Sequence, residues 1–281
     1  MDLIRTVEGL REQGQLGPTA GAFGAPDEVL LLSTGPASHL AKHSMIARPP
    51  RRRAVVRQPL SETSVVDQSN PLQAEPAWNT EGELNATVQA WSDGSWHDLQ
   101  QVSAPTLDDL MRTLNDVMLD QQPFVTHVEG WPQRPFLSGA FAYDLVQWTQ
   151  PIRVQHVPDF DALLAVFWSV DGALLIDHAS GQSHRLHVNG DAWAEHVEPA
   201  EARVTPGPVV QHAALESSMD DAKHAEAIES VKQAIVDGRM YQVNIGRRWT
   251  GSLGDEPWDV MTVARGKPRP LQPAWTWAPD L

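Results

Sequence analysis

Apolar residues along the chain fall into runs of two periods, one helical and one alternating, separated by Gly- and Pro-rich breaks. Leu3, Val7, Leu10 and Leu16 predict a short amphipathic helix within residues 1–16, which the Gly/Pro-rich stretch 17–26 ends. Residues 28–32 read as a compact strand, after which Ser33, Thr34, Gly35 and Pro36 turn the chain. A second strand is expected over 54–58, and a polar, turn-rich loop over 61–82. Residues 88–96 suggest a strand and a turn at Ser92-Asp93-Gly94. Thr106 caps a predicted helix whose buried face is Leu107, Leu110, Met111, Leu114 and Val117. Residues 136–143 are small and apolar. The apolar runs 161–170 and 173–178 flank Val170-Asp171-Gly172, and Asp-Gly between two strand-like runs is a hairpin signal. A third strand, 185–188, follows a turn at Ser180-Gly181. Residues 192–211, acidic and then Pro-rich, read as a linker.

The strongest pattern lies in residues 219–249. Asp220 or Ser218 serves as the N-cap of a helix, and Ala225, Ile228, Val231, Ala234 and Ile235 share one face. Gly238 suits the left-handed residue that ends a helix. Tyr241, Val243 and Ile245 then alternate with Gln242, Asn244 and Gly246, the period of a half-buried strand. Gln242 and Asn244 fall on one strand face, and each amide offers both donors and an acceptor. They either orient a polar ligand or face solvent and tie the sheet to the helix end.

Composition narrows the function classes. The 281 residues fit one large domain or two ordinary ones. With no cysteine there is neither a disulfide framework nor thiolate chemistry, which fits a reducing, cytoplasmic setting. A net charge of −15 argues against general binding to nucleic acid or to an acidic membrane, since phosphate attraction needs a positive face. No apolar run is long enough to span a bilayer, and the start lacks a signal-type apolar core. Arg48, Arg51, Arg52, Arg53 and Arg57 form the basic cluster, read as a solvated turn leading into a strand. His184 and His187 are three apart in a strand and point to opposite faces, so they make no metal site. P-loop, GxGxxG, HExxH and GxSxG patterns are absent, and no residue presents itself as catalytic.

Four separated motifs resemble one family. Gly238, Tyr241, Gln242, Asn244, Arg248 and Trp249 are similar to the segment that opens the chorismate-binding region of the anthranilate synthase and aminodeoxychorismate synthase component I enzymes. Arg239 stands where that family carries an acidic residue. Leu32 and Ser33 resemble the family's Leu-Leu-x-Ser-Gly motif, with Ala41, Lys42 and His43 where Ser-Arg-aromatic is usual. Pro135, Phe136, Gly139, Tyr143 and Asp144 match Pro-Phe-x-Gly-Gly-x-x-Gly-Tyr-Asp, where Asp144 reads as a local structural group. Val157, Pro158, Asp159, Asp177 and His178 match a Leu-Pro-Asp…Val-Asp-His pattern.

The resemblance implies an α+β fold of antiparallel β-sheets with flanking helices, an incomplete chorismate-binding enzyme fold. The domains would be an N-terminal component I domain over 1–205 and the start of the chorismate-binding domain over 206–281. It implies chorismate amination toward 4-aminobenzoate, the aminodeoxychorismate branch fitting better because Leu32 replaces the Glu of feedback-inhibited anthranilate synthases. Tyr241, Gln242 and Asn244 are the implied substrate-binding residues. Leu32, Ser33 and Lys42 line an implied tryptophan-type pocket. The implied partners are a glutamine amidotransferase subunit and tryptophan. The family's Mg²⁺ and its glutamate ligands belong to motifs that this sequence lacks, so the chain alone is expected to be inactive, whether as a fragment of either synthase or as a free-standing binding module.

Overall fold

In the computed structural model, residues 2–33, 42–57, 83–149, 161–199, 216–251, 258 and 274–277 are described. The chain forms two compact units, 1–203 with 269–281, and 204–268.

Two five-stranded antiparallel sheets make up the larger unit. Before them comes helix α1 (Leu3–Glu12), capped by the Asp2 carboxylate, which accepts from the N–H groups of Ile4 and Arg5. The first sheet contains β1 (Glu28–Leu31), β2 (His43–Ala47), β8 (Gly172–Asp177), β9 (Ser183–His187) and β12 (Ala274–Trp277), in the order β12-β1-β2-β8-β9. The second contains β3 (Arg52–Arg57), β4 (Leu84–Ser92), β5 (Ser95–Ala104), β6 (Phe136–Phe141) and β7 (Leu163–Val170), in the order β5-β4-β3-β7-β6. Alternate residues of both sheets meet in a shared core: Val29, Met45, Ala47, Val55, Val166, Trp168, Val170, Ala173, Leu175 and Leu186. The other face of the second sheet buries Ala54, Val56, Ala86, Val88 and Phe167 against Leu110, Leu114 and Met118 of helix α2 (Leu107–Met118). Helix α3 (Ala192–His196) packs on β8 and β9. The fold is thus α+β with antiparallel sheets and flanking helices.

The predicted hairpin at Val170-Asp171-Gly172 does not form. β7 pairs with β3 and β6, whereas β8 pairs with β2 and β9. β2 and β3 change sheet at 48–51 just as β7 and β8 do at Asp171, so one antiparallel ribbon bends from sheet to sheet. At the bend the Arg48 N–H donates to the Gly172 carbonyl at 2.9 Å. Arg48 is only 2% exposed; its guanidinium lies 3.4 Å from Asp191 and 3.7 Å from Asp171 and donates to the Phe23 carbonyl. The basic cluster is therefore not uniformly solvated. Arg53 is also buried, 3.5 Å from the buried Asp27, and its Nε–H donates to Gln89.

The turn after Ser92 is a two-residue hairpin loop, with Asp93 and Gly94 at φ +52° and +77° as a type I′ turn requires. The stretch read as a linker opens with α3; its residues beyond 199 lie outside the described ones, as do the loop 61–82, Thr34 to Ala41 and the motif residues Val157, Pro158 and Asp159.

In the smaller unit, α4 (Asp221–Val236) is capped by Asp220, whose carboxylate accepts from the Lys223 N–H, and it ends at Gly238 with φ +70°. β10 (Glu216–Ser217) pairs with β11 (Trp249–Thr250). The strand expected over 241–246 is not one: that stretch carries no ladder among the described residues. Alternating sequence marks a strand only where a neighbouring strand exists to pair with it.

Candidate functional site at the open end of the sandwich

Of the residues assigned to the tryptophan-type pocket, Ser33 lies where the space between the two sheets opens. Val29 on β1 and Met45 and Ala47 on β2 point into that space and are buried. Two residues along β1 on the same face, Leu31 is 38% exposed, opposite Met45. Two further on is Ser33, whose Oγ donates to the His43 carbonyl at 3.0 Å. His43 pairs in turn with Asp177 across β2 and β8. Strand alternation therefore lays Ser33, His43 and Asp177 in one polar row beside the apolar row Leu31, Met45 and Leu175. Lys42 precedes His43 and is exposed, and Leu32 is buried on the opposite face from Ser33.

A second network ties the same strand ends together. The Ser44 hydroxyl accepts from the Ser33 N–H at 2.8 Å and lies 2.9 Å from His178 Nε2. That hydroxyl donates to Nε2 or accepts from it according to the tautomer of His178. The His178 N–H donates to the Lys42 carbonyl. Burial pushes the His178 pKa down from 6.5, His43 adds repulsion, and Asp177 opposes both. The Asp177 carboxyl is held down, chiefly by the N–H groups of Ser180 and Ala179 that donate to it. Sequence reasoning named Ser33 and Lys42, with His43 in the same motif, but not Ser44, nor Trp131, whose ring stands edge-on to the His43 imidazole at 5.8 Å. The signal was available in the register, because Asp177 and His178 already stood out as motif residues.

The other predicted site residues lie in the smaller unit and are exposed. Tyr241 is 89% exposed, and Gln242 and Asn244 are exposed beside it. Arg247 pins this stretch to the start of α4, donating to Asp221 and to the Met219 carbonyl while its guanidinium stacks 4.7 Å from the Trp249 ring. Mg²⁺ requires several convergent oxygen ligands. Among the described residues no three His, Asp or Glu side chains gather as metal ligands would. No helix among the described residues is long and apolar enough to cross a membrane.

Comparison with known proteins bears on the whole of this arrangement. No curated protein matches the chain. Among solved structures it is similar to anthranilate synthase component I from Streptococcus pneumoniae TIGR4, at 14% identity and a TM-score of 0.44. That alignment covers 82% of this chain and 46% of the other, so the chain spans about half the length of the relative. The model of the chorismate binding enzymes matches residues 62–272, well over half of the sequence and including the Tyr241–Asn244 segment. By that match the chain belongs to the chorismate-binding enzyme family.

Proposed function

We propose that this chain corresponds to the N-terminal portion of an aminodeoxychorismate synthase component I together with the first helix and signature segment of its chorismate-binding region. In this reading the full reaction is amination of chorismate toward 4-aminobenzoate in the cytoplasm, with ammonia from a glutamine amidotransferase subunit. Leu32 at the feedback position favours this branch over anthranilate synthesis. The family match over 62–272 carries the reading. Tyr241, Gln242 and Asn244 would contact substrate once walled in. Exposed as they are, they can neither exclude water nor concentrate charge around chorismate, and the glutamates that hold Mg²⁺ in relatives have no counterpart motif in this sequence. The chain alone is therefore inactive. The test is incubation of the purified protein with chorismate, Mg²⁺ and ammonia, followed by chromatography: unchanged chorismate is expected, and any aminated product overturns the reading.

The polar row at the mouth of the sandwich favours a second reading, a binding module for tryptophan. Ser33, His43 and Asp177 sit beside an apolar floor, as an amino acid with an aromatic ring requires. Calorimetry with tryptophan on the wild type and on Ser33→Ala tests it, since heat that the substitution abolishes supports the module. No heat from either protein removes this second reading.

A further inference from the structure

The run from Gln242 to Arg248 contains no helix, turn or bend, and it leads directly into β11. Between Tyr241 and Gly246 no backbone N–H or C=O has a hydrogen-bond partner among the described residues. Further on, the chain is held. The Ser218 N–H donates to the Arg248 carbonyl at 2.8 Å, the Arg248 N–H donates to the Ser218 hydroxyl at 3.0 Å, and β10 pairs with β11 just beyond. Those contacts take one edge, where an incoming strand would run into Ser218. The opposite edge has no strand beside it among the described residues and is open along its whole length. A straight run with such an edge is a template for another strand.

The sequence says which strand fits. Met240 to Ile245 holds no charge, no Pro and no Gly, and Tyr, Val and Ile favour strands, the composition of segments that pair with copies of themselves. The pattern is also self-complementary. Set two copies antiparallel with Val243 opposite Val243, and Tyr241 falls opposite Ile245 while Gln242 falls opposite Asn244. Every apolar side chain then meets an apolar one, and each amide meets an amide that can both donate and accept. Tyr241 is almost fully exposed and Ile245 half-buried, so the pairing lays the barest side chain of the row against the most covered. A shift of one residue sets Val243 against Asn244 and mixes the two rows. Arg239 and Arg247 close the apolar row at its ends and face each other in this register. Each already has a carboxylate beside it, Asp237 at 3.0 Å and Asp221 at 2.7 Å.

We propose that residues 241–246 are a self-docking strand whose occupant is a second copy of this chain, joined in a two-fold dimer with Val243 on the axis. The same patch serves both copies, and since one edge alone is open along its length, pairing stops at two chains. The second copy supplies the neighbouring strand that the alternation of Tyr241, Val243 and Ile245 calls for and the single chain lacks. Pairing takes up the backbone edge and leaves the two side-chain rows on their own faces.

Analytical ultracentrifugation of the full chain over a concentration series tests this. The wild type is expected to move from the mass of one chain to that of two. Val243→Lys and Val243→Glu each set like charges across the axis and are expected to stay at the mass of one chain; mixed in equal amounts they place unlike charges there and are expected to recover the mass of two. Val243 is 41% exposed, so neither substitution enters the core, and circular dichroism checks that both variants fold. A covalent readout reports the register. The chain has no cysteine, so Val243→Cys carries a single thiol. Directly opposed residues of an antiparallel pair have Cα atoms about 4.5–5.5 Å apart, within reach of a disulfide. Under mild oxidation Val243→Cys is expected to run as a covalent dimer on a non-reducing gel, and Leu99→Cys, exposed on β5 of the larger unit, as a single chain. A wild type that keeps the mass of one chain at every concentration overturns the proposal. So does association that survives Val243→Lys or grows past two chains, since the contact then lies elsewhere. If the charged variants stay single but their mixture does not pair and Val243→Cys does not cross-link, the stretch is an apolar patch without a register, and the two-fold strand pair is wrong.

Discussion

Arg48 shows what a single buried charge does here. Its guanidinium sits where the ribbon bends between sheets, against Asp191 and Asp171, and burial lowers its pKa while the two carboxylates oppose that shift. Arg48→Met is expected to destabilise the larger unit by about 3–5 kcal/mol, measured by urea unfolding, because it leaves two partly buried carboxylates without their cation. His178 gives a pH signature. Its folded pKa lies below the unfolded 6.5, so the unfolded chain binds more protons between those two values. Stability is therefore full above pH 6.5 and is lost as pH falls through the folded pKa. His178→Gln is expected to flatten that part of the urea-midpoint profile. A wild-type profile already flat through that range rules out a lowered pKa for His178 in the folded protein. Asp171 runs the other way: burial raises its pKa above 3.8, so it costs stability as pH rises through the interval between 3.8 and the folded value. None of this was legible in the sequence. Five arginines within ten residues look alike, and only the alternation of β3 and the bend at 48–51 decide which are drawn inside.

Elements fixed by local chemistry could be read directly, and those fixed by pairing could not. Helix α2 begins where Thr106 predicts: its Oγ1 accepts from the Asp109 N–H at 3.1 Å and donates to the Asp109 carboxylate. Thr106→Ala is expected to cost about 1 kcal/mol. Leu114→Ala, beneath the second sheet, should cost about 2–5 kcal/mol by the same denaturation measurement. The turn at Asp93-Gly94 was equally legible, because both central residues must take positive φ. Asp171-Gly172 was not, since a tight hairpin and a corner between two sheets ask for the same residue types. A Cβ on Gly172 would come within 3.1 Å of the Asp191 carboxylate, so a side chain there requires Asp191 to give way. The candidate site divides along the same line. Ser33 and Asp177 carry motif signals, but the row that joins them through His43 exists only in the register of β1, β2 and β8, and Trp131 reaches it from a loop with no periodic signal at all.

At the scale of the molecule, the sequence suggests a boundary near residue 205, with everything after it in one chorismate-binding domain. The two units part at 203, but the segment 269–281 returns to the larger one. There β12 pairs antiparallel with β1, Glu28 opposite Trp277 and Leu31 opposite Ala274. A strand drawn from the far end of the chain thus covers the edge of β1, the strand that leads to Ser33. Ending the protein at Pro268 would bare that edge, and an uncovered strand edge invites pairing between chains. The truncated protein is expected to unfold at lower urea than the full chain and to self-associate on size-exclusion chromatography, although every residue of α1, β1 and the mouth is still present. If the truncation instead leaves both the urea midpoint and the elution volume unchanged, β12 does not support the first sheet, and residues 269–281 belong with the chorismate-binding segment that precedes them.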